Sequence, residues 1–254
     1  MTSPASEPLP EPLPGLVPAP LLAHWATWTG ASPEQLARLG STSYGGPTVT
    51  VVGSAARTCP GWDGAVHAVT GVVDPHGRAV VSVPPEHAAW ARGLVAGGAS
   101  LPDLQAALPG RLGLPTHVVY RGVCRWAIDV PPASVLPDVG VWVPTNDPSV
   151  PEWLTPFNGE VLMVLDEGDY VAGVGLKVHD EHGVEISVGT SEAARGRGLG
   201  RRLVAQAARS LLARGIVATY LHAPDNVASG KVADATGFPD HGWTALGLFD
   251  PTSS

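Results

Sequence analysis

The eight residues from Arg195 to Arg202, RGRGLGRR, hold four arginines and three glycines. They open an apolar repeat, Leu199, Leu203, Ala207 and Leu211, whose four-residue spacing predicts a helix. The first N–H groups of a helix have no partner within it, and the helix dipole adds partial positive charge there. Glycines let the main chain close around a ligand, and arginines add charge-assisted hydrogen bonds. Together these features predict a phosphate or pyrophosphate site at a helix start. Two standard forms of such a site do not fit. The P-loop spacing GxxxxGK[ST] is absent. The dinucleotide pattern GxGxxG needs glycine where Arg201 stands and a parallel strand ahead of it, which this sequence does not offer.

The elements that must position this loop are legible around it. EVLMVL (160–165), YVAGVGLKV (170–178) and VEISVG (184–189) read as strands joined by the tight turns DEGD and HDEHG, an antiparallel meander. After the loop the helix runs to Gly215. IVATYLHA (216–223) is a strand apolar enough to be covered on both faces. DNVASGKVADATGF is a helix beginning at Asp225 or Asn226 and stopping at Gly237, and WTALGLF (243–249) holds a last strand. The order is β-β-β-α-β-α-β.

Three features then fit one pattern. Arg195, Gly198 and Gly200 spell R-x-x-G-x-G, a strand ending SVGT precedes them, and DNVASGKVADATGF follows about 25 residues later with Asn226, Ser229, Gly237 and Phe238. In this order they resemble the GCN5-related N-acetyltransferase (GNAT) superfamily, over about 160–254. The resemblance implies a mixed, mostly antiparallel α/β sheet flanked by helices, and acetyl-coenzyme A as co-substrate. It implies that the strand end Val188, Gly189 and Thr190 pairs with the pantetheine arm. The loop Arg195, Gly196, Arg197, Gly198, Leu199, Gly200 and Arg201 would hold the pyrophosphate, and Asn226 and Ser229 would contact the cofactor from the next helix. Asn226 also reads as a plain helix cap.

Acetyl transfer to an amine needs a base, an oxyanion donor and a fate for the leaving thiolate. By resemblance the donor is the main-chain N–H near Val188. Alternation along the strand puts Val184, Ile186 and Val188 on one face and Glu185, Ser187 and Gly189 on the other. A carboxylate inside a central strand is costly unless it is paired or faces a cleft. Glu185 is therefore the first candidate base and His222, ending the next strand, the second; His179, His182 and Asp225 follow. The family often places a tyrosine seven residues after the asparagine as general acid, and here that position is Ala233. Tyr220 is a substitute of lower standing. The expected activity is N-acetylation of a primary amine on a small molecule. A protein or peptide acceptor, or a non-catalytic acyl-coenzyme A sensor, are the alternatives.

The first half lacks a phosphate loop. Ser32, Pro33 and Gln35 start a helix ended by Gly40. Strands follow at 48–52, 65–73 and 78–83, the last two joined by the turn DPHG. Then come the helices PEHAAWARGLVAG and SLPDLQAAL, the latter with a Ser100–Asp103 capping box, and a strand at 116–123. The chain divides into a proline-rich tail (1–20), an N-terminal α/β domain (21–130) that is a substrate cap or a degenerate GNAT-like half, a proline-rich linker (131–156) and the catalytic domain (157–254). Trp25, Trp28, Trp62 and Trp90 read as core, and Trp153 and Phe157 of PEWLTPF as lining of the acceptor cleft. With 254 residues, 44% of them hydrophobic, the chain can bury a core, and its net charge of −8 argues against nucleic-acid or membrane partners. Cys59 and Cys124 read as two buried thiols of a reducing cytoplasm. The nine histidines show no metal-ligand spacing, so no metal is expected. The arginine, alanine and glycine bias fits a GC-rich bacterium, and a homodimer is left open.

Overall fold

The computed structural model describes residues 17–40, 45 and 48–251. The expected tail therefore lies mostly outside the described residues. Its last residues open a helix, α1 (Ala19–Thr29), that the sequence reading missed. Its N-cap is Pro18, with no side-chain cap, and its apolar residues are too evenly spread to show a clear period. α2 (Pro33–Leu36) starts at the expected capping box of Ser32 and Gln35.

Every strand among the described residues belongs to one ten-stranded sheet. In chain order the strands are β1 (Val49–Gly53), β2 (Thr70–Val73), β3 (Ala79–Val83), β4 (Val118–Ala127), β5 (Val141–Val143), β6 (Val161–Asp166), β7 (Asp169–Val178), β8 (Gly183–Thr190), β9 (Val217–His222) and β10 (Thr244–Phe249). In space they run β1-β3-β2-β10-β4-β9-β8-β7-β6-β5. Among the described residues, only β1/β3 and β8/β9 pair in parallel. The sheet is mixed and mostly antiparallel, as expected, and β6, β7 and β8 form the expected meander. Strand β2 is shorter than the run 65–73, because Ala65 and Val66 are taken up in a turn against Gly61 and Pro60.

The two halves interleave. The last strand of the chain, β10, sits between β2 and β4, and β4 in turn pairs with β9. No break in the sheet separates 21–130 from 157–254. The stretch 131–156 carries the edge strand β5 and lies along the helix α5 (Leu199–Ala213). Arg202 donates to the carbonyls of Pro137 and Asp138, Arg209 donates to those of Pro131 and Leu136, and the Gln206 amide bonds Val139 and Gly140. Those three side chains share one flank of α5, so the proline-rich stretch wraps the helix.

Helices cover both faces. Strand register sets which side chains share a face. On one, α3 (Pro85–Ala96), α4 (Leu101–Arg111), α5 and α6 (Val227–Ala235) bury Val81, Leu246, Ile186, Leu203 and Ala218. On the other, α1 and α2 bury Val72, Trp126 and Val217 around Trp25. That second face also carries Phe157, which sits over Gly175, where a Cβ would come within 2.5 Å of the ring. Trp153 packs likewise over Gly189. These rings wedge against the glycines of the meander and are absent from the wall of the cavity described below; Phe157 packs at a tilt against Trp62, which lines that cavity.

Candidate active site

The parallel pairing of β8 and β9 ends early. Gly183, Val184 and Glu185 pair with Val217, Ala218 and Thr219, and beyond them the two strands part. The backbone of β8 then has one free edge. Ser191 N–H bonds the Val171 carbonyl, so alternation gives Gly189, Ser187 and Glu185 to β7. Val188 and Thr190 therefore aim their N–H and C=O groups into the gap left by β9.

At the mouth of this gap is a groove of about 760 Å³. It is lined by Val188, Gly189 and Thr190 from β8, by Arg195, Gly196, Gly198, Leu199, Gly200 and Arg201 from the loop, and by Asn226 and Ser229 from the start of α6. Eleven of the twelve residues assigned to the cofactor thus meet in one place. Arg197 does not line the groove; its guanidinium turns to Asp166, 3.4 Å away. Tyr220, weighed above as a substitute acid, also lines it, and Ala194, Ala228, Lys231 and Val232, which were not anticipated, complete the lining. Gly198 is the N-cap of α5, at φ 75°, and offers no side-chain cap. Among the described residues, nothing accepts a hydrogen bond from the N–H groups of Gly196 through Arg201. That row of free donors fits an anionic phosphate group. Asn226 is both cap and lining: its Oδ1 accepts from Ser229 N–H at 3.0 Å.

On the opposite face of the sheet lies a cavity of about 310 Å³, walled by Trp28, Arg57, Trp62, His67, Tyr120, Lys177, His179 and Glu185 among others. Glu185 is buried. The Lys177 ammonium stands 2.5 Å from its Oε1 and His179 Nε2 stands 3.6 Å from Oε2. Burial pushes the carboxyl upward, but Lys177 and His179 outweigh it and bring it down to about 2. A separate space of about 20 Å³ is bordered by Glu185, His179 and Tyr220, and Tyr220 also borders the groove. The Tyr220 hydroxyl lies 3.1 Å from Ser229 Oγ, and burial raises its pKa against the opposing effects of Ser229 and Arg125.

His222 is not part of either space. Its Nε2 accepts from Arg125 Nε–H at 3.0 Å, which leaves the ring proton on Nδ1, directed at the Ala223 carbonyl 2.8 Å away. Both nitrogens are spent, so His222 cannot take a proton from an acceptor, which corrects its candidacy as base. It braces Arg125, whose guanidinium reaches Asp234 and the Phe238 carbonyl and so pins α6. His182 lies at the protein surface beside Glu181, and Asp225 is exposed. Ala233 is fully buried in the core, where a tyrosine would have no room. Cys59 is exposed and Cys124 buried, which corrects the expectation of two buried thiols; both are free.

The family model described as "Acetyltransferase (GNAT) family" matches residues 125–238, from β4 through α6. Residues 125–238 of the chain are thus similar to the GNAT superfamily. No curated protein matches it. Among solved structures, a GNAT-family acetyltransferase of Novosphingobium aromaticivorans is 22% identical at a TM-score of 0.43, covering 53% of this chain and 67% of that one. A GCN5-related N-acetyltransferase-like protein of Streptococcus suis is 16% identical at 0.43, covering 57% and 67%. A GCN5-related N-acetyltransferase of Kribbella flavida is 17% identical at 0.38, covering 68% and 80%. The GNAT match holds the loop, the parted strands and Glu185, whereas most of the cavity on the far face comes from residues ahead of it. No group of three or more His, Cys, Asp or Glu side chains among the described residues could hold a metal ion, and no described helix is long and apolar enough to cross a membrane.

Proposed function

We propose that this protein is an acetyl-coenzyme A-dependent N-acetyltransferase acting on the primary amine of a small molecule. The observation that carries the reading is the row of unbonded N–H groups from Gly196 to Arg201 beside the free edge of β8, with a separate cavity walled in part by Glu185 on the other face of the sheet. In this reading the loop N–H groups hold the pyrophosphate, the free edge of β8 at Val188 and Thr190 holds the pantetheine, and Val188 N–H serves the oxyanion. When bound, acetyl-coenzyme A supplies an acyl thioester: the N–C bond forms, the C–S bond breaks, and of the ammonium's two lost protons one goes to sulfur and one to solvent.

A magnitude decides how the base is built. At pH 7 a carboxyl group with a pKa near 2 is protonated about one time in 10⁵, so Glu185 is a poor final proton acceptor. An imidazole is suited to that task near neutral pH. His179 lies against Glu185 and borders the same cavity. We assign His179 as the proton acceptor and Glu185 as the carboxylate that orients it. Tyr220, kept protonated by burial, donates to the leaving thiolate.

The test is thiol release measured on small amines and on peptides, in the wild type, His179→Ala, Glu185→Gln and the double variant. Each single change should lower kcat by about 10²-fold or more with little change in acetyl-coenzyme A affinity. The double variant should lose scarcely more, because the two act as a unit. Tight cofactor binding with no turnover on any amine would instead favour the sensor, and preference for peptides would favour a protein acceptor.

A further inference from the structure

The far-face cavity contains a cation with no counter-ion. Arg57 sits in the 3₁₀ turn Ala55–Thr58 and is only 6% exposed. Its guanidinium donates to two main-chain oxygens, those of His67 and Trp28, each at 3.1 Å, and its Nε has no partner. No carboxylate among the described residues stands within ion-pair distance of it. Arg125 is equally buried yet has Asp234 and Asp240 beside it. A buried charge without a partner is costly, and proteins retain one where a ligand completes it. Burial also pulls the Arg57 pKa down, the sign of a charge that lacks compensation. The cavity's formal charges are Arg57, Lys177 and Glu185, a surplus of one positive charge in a chain of net −8.

We propose that the acceptor is a zwitterion, a small amine that also bears a carboxylate, with the carboxylate held by Arg57 and the amine toward His179 and Glu185. The proposal rests on the acetyl-transfer reading and sharpens it. A guanidinium presents parallel N–H donors that match the two oxygens of a carboxylate. Trp28, Trp62 and Tyr120 offer apolar wall between the two polar ends. A volume of about 310 Å³ lies at the lower end of the roughly 300–1,000 Å³ of small-molecule sites, which suits a single amino acid.

Two readouts separate this proposal from the one beneath it. Free L-α-amino acids are each paired with their carboxamide and their decarboxylated amine. Binding is read by tryptophan fluorescence, since Trp28 and Trp62 line the cavity, and transfer is read by thiol release. The expected result is that at least one amino acid binds and is acetylated with a KM at least tenfold below those of its two uncharged-end partners. Arg57→Gln should erase that preference, bringing the KM of the amino acid level with that of its amide, and Arg57→Lys should keep part of it. Should Arg57→Gln fail to fold, the matched probes on the wild type still decide. Transfer to amines with no preference for the carboxylate overturns the zwitterion and leaves acetyl transfer standing. Arg57-dependent binding of amino acids without transfer overturns acetyl transfer and upholds the anion site. Neither binding nor transfer overturns both.

Discussion

Gly198 carries two constraints at one position. Its φ of 75° is left-handed, and its N–H belongs to the unbonded row at the start of α5. Gly198→Asp would place a carboxylate among donors meant for an anion. Calorimetry should find acetyl-coenzyme A affinity lost in this variant, and unchanged affinity would remove the loop from the cofactor site. Glu185 makes a second statement at this scale. Its pKa falls from 4.5 to about 2 because Lys177 and His179 overcome the upward push of burial. A lowered folded-state pKa means stabilisation that is complete above about pH 4.5 and disappears as pH falls toward 2. Asp180, lowered by its contact with His24 against the push of burial, works in the same direction. Denaturation midpoints followed from pH 6 to pH 2 should therefore drop less steeply in Glu185→Gln than in the wild type. Equal slopes would mean that the ion pair does not form. The loop glycines and Glu185 were legible in the sequence because their signals are local: a spacing and an alternation. Arg57 was not, because a lone arginine in a turn has no period, and only the folded chain shows that its charge is unpaired.

At the scale of the element, β7 and β8 do more than present side chains. Gly175 and Gly189 clear space for Phe157 and Trp153, and Phe157 packs at a tilt against Trp62 at 5.5 Å between ring centroids. A change in the meander is thus relayed to the cavity wall. Gly175→Val should displace Phe157 and with it Trp62, at an overpacking cost of about 1–3 kcal/mol. Steady-state kinetics should then show a raised KM for the acceptor with acetyl-coenzyme A affinity preserved. Elements with capping boxes or strong periodicity, such as α2, α4 and α5, were readable in advance. The helix α1 and the edge strand β5 were not. One begins at a proline without a polar cap, and the other has three residues among prolines.

Taken whole, the molecule closes its sheet with strands borrowed across the chain. β10, the last strand, completes β2 of the first half, and β4 of the first half completes β9 of the second. A fragment ending at residue 130 would expose the edges of β2 and β4, and one starting at 131 would leave β9 and β10 without their common neighbour. Expressed alone, each fragment should be largely unfolded by circular dichroism, co-expression should restore a soluble complex, and the intact chain should melt in one transition. Two folded, independent fragments would show that the borrowed strands are dispensable.

Caps, apolar periodicity and the spacing of glycines and arginines were enough to determine the meander, the GNAT resemblance that implied the mixed sheet, and most of the lining of the groove beside β8. Those properties follow from interactions within about ten to thirty residues, which a linear pattern records. Tertiary structure alone decided the rest. It spent both nitrogens of His222 on Arg125 and Ala223, and it set His179 beside Glu185. It also brought Arg57 into the same cavity as Glu185. The physical reason is sheet pairing between strands far apart in sequence: β4 lies against β9 and β10 against β2, and no local spacing encodes which distant strands will meet.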